Sequence, residues 1–132
     1  MAIPKQLVEC VPNFSEGRRP EVIAAIREAI AAVEGTVVLD VSSDPSHNRT
    51  VVTFVAPVAS AANAAFAGIA KATELIDLNH HTGEHPRLGA TDVCPFIPLE
   101  GTSMEDCIVL ARTLGARVGK ELGVPVFLYE RA

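Results

Sequence analysis

The chain has 132 residues, 48% of them apolar and only 5% aromatic, with a formal net charge of −5. That length fits one domain, residues 1–132, with an aliphatic core; the acid excess without a Lys/Arg run argues against a nucleic-acid face, and no apolar run is long enough to span a bilayer. The opening MAIPKQLVEC lacks the basic-then-apolar order of a secretory signal, and three cysteines without CxxC spacing fit a reduced, cytoplasmic protein whose thiols serve as small core residues.

The elements read in order. LVECV (7–11) is apolar with one acid and reads as a buried strand. In PEVIAAIREAIAAV (20–33), Val22, Ile26, Ile30 and Val33 share one helical face, Pro20 suits a first turn and Gly35 a stop. TVVLDVS (36–42) and TVVTFVA (50–56) are β-branched runs, hence strands joined by a polar turn. ASAANAAFAGIAKATELI (59–76) is an Ala-rich helix able to lie close on a sheet. VCPFIPL (93–99) is a strand with two prolines that suggest an edge or a bulge. TSME (102–105) has capping-box spacing, with Thr102 as cap and Glu105 reaching back. It opens a helix with Cys107, Ala111, Leu114, Val118 and Leu122 on one face, ended by Gly123, and VPVFLY (124–129) is a last strand. The expected class is therefore α+β: a ferredoxin-like βαββαβ unit with an additional αβ, its helices on one face of a mixed sheet.

One connection stands out. From about residue 77 to 92 the chain has no regular pattern, longer than structureless loops usually run, and it holds three of the four histidines: His80, His81 and His85. Imidazoles with Glu84 or Asp92 could supply a metal set, but Gly83 and Pro86 interrupt the one-turn spacing that a helical site needs. Acid–base chemistry is the other reading. Histidine alone titrates near neutrality when unperturbed, and His85 stands between an acid and a proline that restricts its backbone. The plain alternative is a solvated polar loop, and the residues by themselves leave both open.

Two further clusters are polar. VPNFSEGRRPE (11–21) carries Asn13, Ser15, Glu16 and Gly17 into a helix start, where backbone N–H groups could take an anion or simply be capped. SSDPSHNRT (42–50) brings His47, Asn48 and Arg49 to the start of a strand, and Arg49 could hold a carboxylate by two parallel hydrogen bonds. The alternative is a solvated hairpin tip. Nothing near the three cysteines clearly lowers a thiol pKa, so a structural role suits each.

Three segments together carry a resemblance. LVECVPNFSEG (7–17), HNRTVVTFV (47–55) and GEHPRLGATDVCPFIP (83–98) resemble the N-terminal subdomain of the glutamate formimidoyltransferase family, which in vertebrates is the first half of formimidoyltransferase-cyclodeaminase. The resemblance implies transfer of a formimino group between N-formimidoyl-L-glutamate and N5 of tetrahydrofolate, in histidine degradation and one-carbon folate metabolism. Tetrahydrofolate is the co-substrate and no metal is needed. The family's catalytic histidine, in its Glu-His-Pro motif, falls on His85. Charge and motif membership make Arg49 and Arg87 candidates for substrate carboxylates, with Asn13 and Asn48 beside them, and Glu84 and Asp92 candidates to orient His85 or the formimino nitrogen. At Ser42 this chain departs from relatives that carry an acid there. The family's transferase unit has two similar subdomains with the substrates in a cleft between them. The expectation is thus a half-site, completed by a second subdomain or by a homodimer. Two other classes share the same loop: a folate- or glutamate-binding module without turnover, and a module that dimerises through its sheet.

Overall fold

The computed structural model describes residues 6–76, 90–124 and 126. The elements are β1 (Leu7–Cys10), β2 (Asn13–Phe14), α1 (Pro20–Ala31), β3 (Val37–Asp44), β4 (Arg49–Pro57), α2 (Val58–Leu75), β5 (Thr91–Val93), β6 (Phe96–Pro98) and α3 (Met104–Leu122). The strand expected over 124–129 lies outside the described residues except for Val124 and Val126.

β4 is the centre of the sheet. It pairs with β3 along one side and with β1 and β2 along the other, while β6 pairs with β1 and β5 with β2. Every pairing among the described residues is antiparallel, which corrects the mixed sheet expected from the sequence. The reason is connectivity: β3 and β4 form a hairpin, and the helical crossovers return each later strand beside a neighbour running the other way.

Period-two alternation decides what is buried. Val8 and Cys10 of β1, Phe14 of β2, and Val52, Phe54 and Ala56 of β4 are fully buried, and they form one cluster with Val22, Ile26 and Ile30 of α1, Ala61, Ala64, Ala65, Ile69 and Ala72 of α2, and Cys107, Leu110, Leu114 and Val118 of α3. The helices thus cover one face. On the other, Glu9, Val51, Thr53 and Val55 are half-buried, and Val37, Val93 and Ile97 are exposed. The small side chains of α2 let it approach closely: a Cβ at Gly68 would lie 2.7 Å from Ile30 Cγ1.

The helix ends follow the sequence closely. Pro20 occupies the first turn of α1, and Gly123 closes α3 in the left-handed conformation at φ 67°. The capping box falls one residue later than expected: Ser103 Oγ accepts from Asp106 N–H, and the Asp106 carboxylate accepts from Ser103 N–H. Thr102 is otherwise engaged, its hydroxyl donating to the Leu7 carbonyl at 2.6 Å and pinning the helix entry to β1. The strand expected over 7–11 stops at Cys10, and past Val11-Pro12 the chain adds a short β2 that was not expected; the strand expected over 93–99 is split into β5 and β6 at Cys94-Pro95. Each proline withholds the N–H that a continuous ladder would use.

Candidate functional site

The candidate residues converge on one end of the sheet, where β2, the β3–β4 hairpin and β5 meet. Asn13 pairs in register with Val51 of β4 and Val93 of β5, so it stands on the face away from the helices, and its side-chain amide donates to the Val11 carbonyl at 3.1 Å. Ser42 faces Val51 from the other side, exposed on that same surface. Arg49 opens β4 and Asp92 is the middle residue of β5. Their side chains meet as an ion pair of 3.7 Å between Nη2 and Oδ2, each a little under half exposed. At that length and exposure the pair contributes little to stability. Its interest is placement: it joins the hairpin to the last residues of the 77–92 connection.

The segment after β2 clasps the hairpin. Gly17 N–H donates to Asn48 Oδ1 at 2.8 Å, Arg18 Nε donates to the Pro45 carbonyl at 2.8 Å, and the Thr50 hydroxyl donates to the Glu16 carbonyl. The approach demands glycine, because a Cβ at Gly17 would stand 2.5 Å from the Arg49 nitrogen and 2.6 Å from the Asp44 oxygen. Asn48 adopts a positive φ of 52°, a turn conformation that asparagine tolerates better than most residues. Its side-chain oxygen is therefore engaged in holding the turn. Ser15 N–H donates to the Ala90 carbonyl at 2.8 Å, which fixes the far end of the connection against the same segment.

Just ahead of α1, an acid of the chain itself takes the backbone donors. Glu16, with 4% of its side chain exposed, accepts from the backbone N–H groups of Arg18 and Arg19 at 3.0 and 2.9 Å and from Arg19 Nε at 2.7 Å. Burial pushes this carboxyl up, but the Arg19 side chain and the two backbone donors outweigh it and hold it below the ordinary glutamate value. These donors precede α1, whose cap residue Arg19 makes no side-chain cap bond, so Glu16 tightens the turn that leads into the helix.

At the hairpin tip Asp44 holds His47, with Oδ2 2.6 Å from Nδ1, and accepts from the backbone of Ser46 and His47. The His47 side chain holds the Asp44 carboxyl below its ordinary value. Among the described residues no three His, Cys, Asp or Glu side chains converge as a metal set. No helix there is long and apolar enough to cross a membrane. A shallow groove of about 280 Å³ between α1 and β3, lined by Arg27, Val38, Leu39, Asp40 and Val41, contains none of the candidate residues.

Of the residues expected from the sequence, Asn13, Asn48, Arg49 and Asp92 come to this end of the sheet. His85, Glu84 and Arg87, with His80 and His81, lie outside the described residues. One contact was not foreseen. Cys10 and Cys94 touch, Sγ to Sγ, at 3.5 Å, and all three cysteines are free thiols. The signal was available: in a βαββαβ plan the first and fourth strands are neighbours, and each carries one of these cysteines. Burial first, and Cys94 second, push the Cys10 thiol well up; burial with Asp106 alongside raises Cys107.

An α+β domain with a helix-covered antiparallel sheet and polar residues from three segments gathered at one end defines the class, and comparison defines the family. Residues 7–132 match the model of the formiminotransferase domain, N-terminal subdomain, and the chain belongs to that family. It is 60% identical over 126 residues to a glutamate formimidoyltransferase of Thermoplasma acidophilum, covering 96% of this chain and 42% of that protein. It is 54% identical over 127 residues to the formimidoyltransferase-cyclodeaminase of Rattus norvegicus, covering 96% of this chain and 24% of that protein. A glutamate formimidoyltransferase of Streptococcus pyogenes is 46% identical over 125 residues, with 42% of its length covered. The chain spans less than half the length of each of these relatives.

Proposed function

We propose that this chain forms one side of a formimidoyltransferase site that moves CH=NH between N-formimidoyl-L-glutamate and N5 of tetrahydrofolate. The observation that carries the reading is the family match over residues 7–132. The meeting of Arg49 with Asp92 supports it, since it brings two residues of separate family-like segments together.

His85 is the proton carrier in this reading. The attacking N5 adds to the formimino carbon and gives a tetrahedral centre; the proton it sheds passes to His85 and then to the glutamate nitrogen, which leaves as a neutral amine. One imidazole near neutral pKa can perform both transfers in turn. Arg49 and Arg87 hold substrate carboxylates, where a planar guanidinium offers paired donors. Asn13 and Asn48 line the same end; the Asn48 amide nitrogen supplies donors while its oxygen keeps the turn. Asp92 and Glu84 orient His85 or the formimino nitrogen. Folate and glutamate-type molecules are the substrates, and a second subdomain or a second copy of the chain supplies the opposite wall.

The ferredoxin-like plan belongs to the same reading. If β1 and β2 are counted as one interrupted strand and β5 and β6 as another, the pairing order is fourth, first, third, second. This is consistent with two crossover units sharing one sheet.

The deciding experiment mixes the chain, alone and joined to a second family subdomain, with tetrahydrofolate and formimidoyl-glutamate, and follows 5-formimidoyl-tetrahydrofolate by mass spectrometry. Product from the joined protein supports the assignment. A joined, folded protein that binds both substrates and transfers nothing would refute it.

A further inference from the structure

The Cys10–Cys94 contact takes no part in the transfer chemistry. Cys10 ends β1 and is fully buried, while Cys94 lies in the break between β5 and β6 and is partly exposed. In the ladder Cys10 faces Phe96, so Cys94, two residues earlier on that strand, is its diagonal neighbour. Val11 N–H donates to the Pro95 carbonyl at 3.2 Å, which holds the break close against the end of β1. The two sulfurs, 84 residues apart in sequence, stand 3.5 Å from each other. A bond requires about 2.05 Å, so an approach of roughly 1.5 Å converts contact into linkage. That movement falls on a proline-interrupted segment with few ladder bonds to break.

We propose that Cys10 and Cys94 are a modification site: a dithiol that closes reversibly into an intramolecular disulfide by exchange with a low-molecular-weight disulfide. The Cys94 thiolate, the reachable one, attacks a sulfur of R–S–S–R and expels RS⁻, leaving a mixed disulfide. The Cys10 thiolate then attacks the Cys94 sulfur and expels the second RS⁻. The new bond is Cys10–Cys94, the two cysteines lose two electrons, the external disulfide gains them, and the two cysteine protons end on two RSH. Burial of Cys10 excludes it as the entry point and places it as the resolving thiol. Asp92 is two residues from Cys94, so closure also moves the partner of Arg49.

The test uses oxidised glutathione on the full chain, with thiol titration and peptide mapping under non-reducing conditions. Titratable thiols should fall from three to one, the intact mass should drop by two hydrogens, and the linked peptide should contain Cys10 and Cys94. Dithiothreitol should restore all three. Cys94→Ser should abolish the linkage and Cys107→Ser should leave it. A glutathione adduct that persists on Cys94, a linkage to Cys107, or three unreacted thiols in the folded wild-type chain would each overturn the proposal. The wild-type mapping decides the matter even if a variant fails to fold. None of these readouts depends on transferase activity, so the outcome is independent of the functional assignment.

Discussion

At His85 the proposal meets its sharpest test. In a two-subdomain protein, His85→Ala should lower kcat by a factor on the order of 10² to 10⁴, the usual worth of general acid–base catalysis. KM should hardly move, because a group used in the transition state adds little to ground-state binding. His80→Ala and His81→Ala should be mild by comparison; equal losses from all three, with rescue by zinc after chelation, would point to a metal centre instead. Glu16 makes a different prediction. Its carboxyl is held below the ordinary value of about 4.3. The stability it contributes is therefore complete above that value and is lost as pH falls through the lower folded-state value. Glu16→Gln should cost about 1.5–3 kcal/mol at neutral pH, the range for hydrogen bonds to a charged group. Urea unfolding should show the gap to wild type closing as the solution is acidified; a gap unchanged by acid would mean that packing, not charge, is responsible. Which residues carry charge or can titrate was readable from the sequence, but their neighbours were not. Arg49 and Asp92 are brought together by the pairing of β2 with both β4 and β5, which no local pattern announces.

Elements with strong local punctuation were the most legible. α1 begins at its proline and α3 ends at its glycine, and the buried residues Val22, Ile26, Ile30, Cys107, Leu114 and Val118 follow the 3.6-residue period. Strands were less so. β2 is two residues long and made of turn-prone sequence, β5 and β6 are split by Pro95, and β3 changes register between Val38 and Asp40. The shift by one residue of the α3 cap came from competition, since the Leu7 carbonyl claims the Thr102 hydroxyl. Two glycines separate close approach from helix propensity. At Gly17 a Cβ would overlap the hairpin backbone, so Gly17→Ala should destabilise by about 1–3 kcal/mol or more through overpacking. Gly119 lies inside α3, where a Cβ would find nothing nearer than the Val124 carbonyl at 3.9 Å. Gly119→Ala should therefore stabilise by roughly 0.8–1 kcal/mol, the helix-propensity difference. Parallel denaturant curves for the two variants check both signs.

For the molecule as a whole, the proposed half-site uses the helix-free face of the sheet, and in that reading a second wall completes it. The chain alone should turn over far more slowly than the joined two-subdomain protein, and whatever rate it shows should rise with protein concentration if a homodimer substitutes for the missing wall. Initial rates measured over a dilution series decide this; a rate per chain equal to the joined protein's and unaffected by dilution would remove the half-site. The same topology has a consequence for biogenesis. β1 leaves the ribosome well before its neighbour β6, which follows more than eighty residues later, as the 84-residue separation of Cys10 and Cys94 illustrates. At 5–20 residues per second, the nascent chain waits about 4–17 s with one edge of β1 unpaired. Over that interval it is the growing polypeptide, not the finished fold, that is exposed to mispairing with other nascent chains, and slowing translation ahead of β5 would lengthen the risk.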